Sequence, residues 1–341
     1  MRSRASVRWP ISSSASLPAD RAWRIDAGFA PGARGRVFRV RFLPVGVPVR
    51  GAVLFVHAFG EEMNKARHVV AHAARQLAAR GFMVEVPDLY GCGDSEGTLA
   101  LASVDGWLVD LASRAHALAA SVDGPVHLWG LRAGALLAAA LAQRLGDRPS
   151  PGSEGEGALG QGSLRQRGPG QGGPAQGSPG QSSPEQRGRG RASTGQSALL
   201  LWQPVLRGPQ VLGDFLRLRS VAALFDGGTR ESVDSLRARL ANGETLEVAG
   251  YLLTPELATG LEALSMSELQ PGRRPVHWFQ ISRDGQQPIP QAAGDVIKAW
   301  RAHGAQVQTV PVAGPAFWSA AELEDCPALI DATTAALCTP S

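Results

Sequence analysis

Val126-His127-Leu128-Trp129-Gly130-Leu131-Arg132-Ala133-Gly134-Ala135-Leu136-Leu137 is the stretch on which the fold of this chain turns. Residues 126–129 have the apolar character of a buried strand. An Ala/Leu-rich run from 132 to about 145 has that of a helix. Between them, Gly130 and Gly134 permit a tight strand-to-helix turn. Arg132 stands at its centre.

Outward from this turn, strands and helices alternate. Residues 37–42 show period-two alternation, with Val37, Arg39 and Arg41 set against Phe38, Val40 and Phe42, as in an edge or hairpin strand. Residues 52–56 are continuously apolar, as expected of a strand covered on both faces. A helix is predicted over 64–80, with Val69, Val70, Ala73 and Leu77 on one face and Gly81 as its stop. Residues 82–86 read as the next strand, and a helix from Ser103 carries Leu108, Leu111, Ala115 and Leu118. Later come a strand over 198–202, a largely helical cap over 205–270, strands over 276–281 and 307–312 around a helix at 291–303, and a last helix over 321–337. This alternation predicts a doubly wound, mostly parallel sheet with a helical cap insertion.

Residues 149–197 interrupt the pattern with loose Gly, Gln, Ser, Pro and Arg repeats, without an aromatic or a β-branched aliphatic residue. Such a segment buries too little apolar area to offset the entropy of ordering it, so it is expected to be disordered, as is a tail over 1–21. A helix before it and a strand after it make it an insertion in a surface loop of one domain (22–148 and 198–338), where added length costs little closure entropy.

The pI near 9.4 raises the question of nucleic acid. Residues 1–24 carry a net +4 and residues 149–197 a net +2, which leaves −2 for the rest of a chain of formal charge +4. The basicity sits in tail and insertion, so a phosphate-tracking surface is not expected. No run of apolar residues is long enough to span a membrane. The first twenty residues lack the apolar region of a secretory signal. Cys92, Cys326 and Cys338 form neither a disulfide framework nor a metal quartet. A cytoplasmic protein without cofactor or metal is the expectation.

Gly130-Leu131-Arg132-Ala133-Gly134 matches the nucleophile elbow G-x-S-x-G at both glycines and in its strand–turn–helix context, but not at the nucleophile. Arginine is always protonated and cannot attack a carbonyl. His57-Ala58-Phe59-Gly60 follows a buried strand where a backbone amide of an oxyanion hole belongs. The run from Asp88 through Gly91, Gly93 and Ser95 to Gly97 looks like a D-x-x-G-x-G-x-S-x-G loop in which Ser95 shapes a turn. Together these indicate an α/β-hydrolase fold. Cys92 has no elbow and no adjacent base.

Glu61-Glu62-Met63-Asn64-Lys65, Asp88-Leu89-Tyr90-Gly91, Trp129 through Leu137, Leu201-Trp202-Gln203-Pro204-Val205 and Val248-Ala249-Gly250-Tyr251 together resemble the exosortase A system-associated hydrolase 2 family. The resemblance covers roughly residues 22–338 apart from the insertion. It implies an α/β-hydrolase fold, an Arg at the elbow, and a setting in a Gram-negative bacterium that makes exopolysaccharide and sorts proteins bearing a PEP-CTERM tail.

The remaining positions of a Ser-His-Asp triad are thin. Asp284, in Ser282-Arg283-Asp284-Gly285, falls where the acid belongs, or is a turn Asp before Gly. The segment after the last strand, Gly314-Pro315-Ala316-Phe317-Trp318, has no His. Two functions stay open. The first is hydrolysis of an ester or thioester of an anionic acyl or saccharide compound by water activated at Asp284 or Glu61. The second is a catalytically vacant fold that binds an anionic ligand or a partner protein of the polysaccharide pathway. In both, Arg132 anchors the ligand with its bidentate fork, beside the amides of Ala58, Phe59 and Ala133 and near Asn64 and Lys65. A structural ion pair from Arg132 to Glu61, Glu62 or Asp284 is the competing reading. Lys65 and Lys298 are the only lysines among 34 basic residues. Glu62 reads as a helix-start acid complementing the macrodipole. His68 and His72 share a helix face at a spacing zinc uses, with no third ligand apparent.

Overall fold

A computed structural model describes residues 22–146, 196–225 and 231–338. The tail read over 1–21 and nearly all of the insertion read over 149–197 lie outside the described residues. At the end of that insertion, Gln196 and Ser197 are tied by hydrogen bonds to the Arg273 and Val126 carbonyls.

The strands are β1 (Trp23–Pro31), β2 (Arg36–Pro44), β3 (Gly51–Val56), β4 (Phe82–Pro87), β5 (Val126–Leu131), β6 (Leu199–Trp202), β7 (Leu246–Val248), β8 (Tyr251–Leu253), β9 (Pro275–Ser282) and β10 (Gln306–Ala313). The helices are α1 (Glu61–Ala78), α2 (Val104–Ala119), α3 (Ala133–Leu145), α4 (Gly208–Phe225), α5 (Val233–Ala241), α6 (Pro255–Glu262), α7 (Gln291–Ala302) and α8 (Pro327–Cys338). Eight strands form one sheet in the order β1-β2-β4-β3-β5-β6-β9-β10. β1, β2 and β4 pair antiparallel in succession, and β4, β3, β5, β6, β9 and β10 follow as parallel neighbours. β5 and β6 pair directly, Leu128 against Leu199 through Leu131 against Trp202, so the chain re-enters the sheet beside the strand it left.

β3 shows why its run is continuously apolar. Ala52, Leu54 and Val56 join the core under α2, α3 and α7, whereas Val53 and Phe55 join the core under α1 and α8. Both faces are covered, as a parallel sheet requires. Across the cap, Phe215 of α4 packs on Phe59 with ring centroids 4.7 Å apart.

The structure departs from the sequence reading at several edges. The hairpin partner β1 was not expected. Neither was the two-stranded ribbon β7–β8, which interrupts the helical cap. α1 starts three residues earlier than predicted, at Glu61, which carries Glu61 and Glu62 into its first turn. α8 begins at Pro327 rather than near 321, because proline is suited to a first helical position and disfavours helix in the residue before it.

Candidate active site at the elbow

Arg132 caps α3 with φ 56° and ψ −117°, a left-handed conformation unusual for a residue with a Cβ. The turn closes because its flanks are glycine. A Cβ on Gly134 would lie 2.1 Å from the Val56 carbonyl oxygen and 2.3 Å from that of His57. The Arg132 amide donates to the Trp202 carbonyl at 3.0 Å, and its carbonyl accepts from Val205 at 3.3 Å, which fixes the elbow to β6 and the segment after it.

The side chain enters a cleft of about 230 Å³ under the cap. Phe59, Val205, Val211, Phe215, Leu218 and Trp318 supply its apolar wall. Glu61, Glu62, Lys65, Arg132, Asp214 and Ser319 supply its charge and polarity, and Ala133 lies at its floor. Glu61 and Ala133 open α1 and α3, so two helix N-termini border one cleft, each with first-turn amides that lack an intrahelical acceptor.

Three carboxylates and two cations share this space. Arg132 Nε donates to Glu62 Oε1 at 3.1 Å, and its Nη2 lies 3.6 Å from Asp214 Oδ2 on the cap helix α4. The guanidinium carbon also sits 5.5 Å from the Trp318 ring centroid, within cation–π range. Burial raises the Glu62 carboxyl above its ordinary range, although Arg132 and its hydrogen bond pull the other way. Lys65 Nζ donates to the Ser319 carbonyl at 3.5 Å across the cleft mouth.

Of the residues singled out in sequence, the cleft brings together Phe59, Glu61, Glu62, Lys65, Arg132 and Ala133. Ala58 is buried and Asn64 exposed, and neither lines it. Asp284 also lies outside its lining. Its Oδ1 accepts from the Gln286 amide at 3.0 Å and the Ser282 hydroxyl at 3.2 Å, and the Gln286 bond foremost lowers its pKa. Sequence reasoning passed over Asp214 and Trp318, whereas it named Glu62 among three candidate ion-pair partners of Arg132, and the structure forms that pair. Glu62 was visible in Glu61-Glu62 beside the predicted oxyanion loop, but Asp214 carries no local signal that would tie it to the elbow.

A second cluster centres on the buried Asp88. Asp88 accepts from Arg67 at 2.9 Å and from the Asp94 amide at 2.9 Å, with His57 Nε2 at 3.5 Å. Burial lowers the His57 pKa to about 3 and raises the Cys92 thiol to about 12, so both are uncharged at neutral pH. Ser95 donates to the Asp88 carbonyl and accepts from the Phe38 amide, which gives it the turn-shaping place expected of it. His68 is hydrogen-bonded to Asp325 at 2.7 Å, with His72 at 3.8 Å. Among the described residues, no group of three or more His, Cys, Asp and Glu is arranged to hold a metal ion.

The strand order, the parallel core and the strand–elbow–helix unit define an α/β-hydrolase fold. The sequence model of the family described as serine aminopeptidase, S33, matches residues 47–151, which include the predicted oxyanion loop and the elbow. Among solved structures, Est1E from Butyrivibrio proteoclasticus, with ferulic acid bound, is similar with a TM-score of 0.54 and 14% identity, over 90% of this chain and 96% of that one. A soluble variant of monoglyceride lipase from Saccharomyces cerevisiae, in complex with a substrate analog, has a TM-score of 0.51 and 13% identity, over 96% of each chain. At such identities the likeness is one of fold. No curated protein sequence matches the chain. No helix among the described residues is long and apolar enough to cross a membrane.

Proposed function

We propose that this protein hydrolyses an ester or thioester of an anionic acyl or saccharide compound, in the exosortase- and exopolysaccharide-associated setting that the family resemblance names. The observation that carries this reading is the make-up of the elbow cleft. An apolar wall of Phe59, Val211, Phe215 and Trp318 faces Arg132, Lys65 and two helix N-termini. The wall suits an acyl chain. On this reading the Phe59 and Ala133 amides take the developing oxyanion, and the two cations take a carboxylate or phosphate on the substrate. Arg132 occupies the nucleophile position, so the attacking group is water, activated by a carboxylate. Of the two acids read from sequence, Glu61 lines the cleft and Asp284 does not.

A second reading, ligand binding without turnover, draws support from one observation. Arg132 fills the nucleophile position, and the segment after β10, Gly314-Pro315-Ala316-Phe317-Trp318, holds no histidine. On that reading the fold is catalytically vacant and takes an anionic ligand or a partner protein.

The deciding experiment measures hydrolysis of short and long acyl esters and acyl thioesters by the wild type and Arg132→Ala side by side. Turnover that the substitution removes supports the hydrolase. No turnover in the wild type, with a fatty carboxylate bound in an Arg132-dependent way, supports the binding protein.

A further inference from the structure

We infer that Glu62, rather than Glu61 or Asp284, is the general base that activates water in this cleft. This rests on the hydrolase reading and names a residue that reading leaves unassigned. Three observations point to it. Glu62 is the carboxylate hydrogen-bonded to the elbow residue itself, through Oε1 to Arg132 Nε at 3.1 Å, so its position is fixed relative to the Ala133 amide that follows. Its side chain is only 26% exposed, against an Asp284 that is fully exposed and committed to its own turn. It is the second residue of α1, three positions after Phe59, so the base and the Phe59 amide come from one loop and helix end, and Ala133 at the start of α3 borders the same cleft. Its burial-raised affinity for a proton agrees with such a role.

The step balances without a further reactant. Glu62 Oε2 takes one proton from a water as the water oxygen bonds to the acyl carbon. The carbonyl electrons move to the oxyanion, held by the Phe59 and Ala133 amides. Collapse of that intermediate breaks the acyl C–O or C–S bond, and Glu62 returns the proton to the departing alkoxide or thiolate. The products are a free acid and an alcohol or thiol. Arg132 keeps Glu62 oriented through Oε1 and leaves Oε2 for the water.

The test uses the full chain with p-nitrophenyl esters from butyrate to decanoate and the matching acyl-CoA thioesters. The readouts are kcat, KM and the pH profile of kcat/KM. Glu62→Gln should lower kcat by about 100- to 10,000-fold with KM little changed, and should erase the acidic limb of the profile. Glu62→Asp keeps the charge facing Arg132 but shortens the reach. It should fold like the wild type, as read by thermal melting, and lose at least about tenfold in kcat. A Glu62→Gln protein that turns over at the wild-type rate with the same acidic limb overturns the assignment while the hydrolase reading stands. If Glu62→Gln does not fold, wild-type kcat in Glu62→Asp overturns it likewise. Absence of turnover in the wild type on every substrate overturns the hydrolase reading and this inference with it.

Discussion

Arg132 Nε lies 3.1 Å from Glu62 Oε1, which joins the elbow after β5 to the first turn of α1 across 70 residues of sequence. Both side chains are largely shielded, at 14% and 26% exposure. Two demands meet at Arg132. Its backbone is in a conformation that favours glycine, and its side chain compensates a carboxylate withdrawn from water.

Those demands separate by substitution. Arg132→Ala keeps the strained backbone and strips Glu62 of its partner, and should cost about 1–3 kcal/mol in urea unfolding. Arg132→Gly loses the same partner but relaxes the φ of 56°, and should unfold roughly 1 kcal/mol later than Arg132→Ala. An alanine variant at least as stable as the glycine variant would show that the elbow stores no strain.

The elbow was legible in sequence because its signal is local. A strand, two glycines four apart and an Ala/Leu helix lie within twenty residues, and the side-chain period changes at the turn. β1 was not legible. Ile25 and Phe29 remain exposed, and Gly28 and Pro31 break its pattern, so it shows no clean buried face. β7 and β8 have three residues each, too few for a period. At the site, Arg132, Phe59 and Lys65 could be picked out by their motifs. The pairing of Arg132 with Glu62 was one of three ion pairs the sequence left open, whereas its approach to Asp214 is a tertiary contact between distant segments that leaves no periodic trace in either one.

Glu85 of β4 is fully buried, and two arginines hold its carboxylate. Arg114 of α2 donates at 2.6 and 3.1 Å, and Arg41 of β2 at 2.6 Å. The arrangement pins α2 to the sheet at the antiparallel β2–β4 junction. Arg114→Leu should cost about 3–5 kcal/mol, because it leaves a buried charge with half its compensation. Glu85→Leu combined with Arg114→Leu should recover part of that loss. Denaturant midpoints of the two variants check the order, and a double variant weaker than the single one would count against the buried pair as the cause.

Gly134→Ala tests the close approach at the elbow. The added methyl would meet the carbonyl oxygens of Val56 and His57 at 2.1 and 2.3 Å, and both belong to backbone that β5 and α3 hold in place. Relief requires moving α3 off the end of β3. The expected result is loss of soluble protein, or a melting temperature lowered by at least the equivalent of about 3 kcal/mol. A variant that melts like the wild type would show that the elbow has room to spare.

Acid should unfold the protein through two buried imidazoles. Burial lowers the pKa of His57 to about 3 and that of His127 to about 4, from an ordinary value of 6.5. His127 Nδ1 accepts the Ala198 amide at 3.0 Å, a bond that requires the neutral ring and ties β5 to the chain re-entering at β6. Between about pH 6.5 and 3 the unfolded chain binds protons that the folded one refuses. Stability is therefore full above pH 6.5 and declines as pH falls through that window, by on the order of a few kcal/mol in total. His57→Gln and His127→Gln should each be less stable than the wild type at pH 7.5, yet each should lose part of the slope between pH 6 and 4. Urea unfolding at half-unit pH steps reads both quantities. If the slope survives in the double variant, the acid sensitivity does not arise at these two imidazoles.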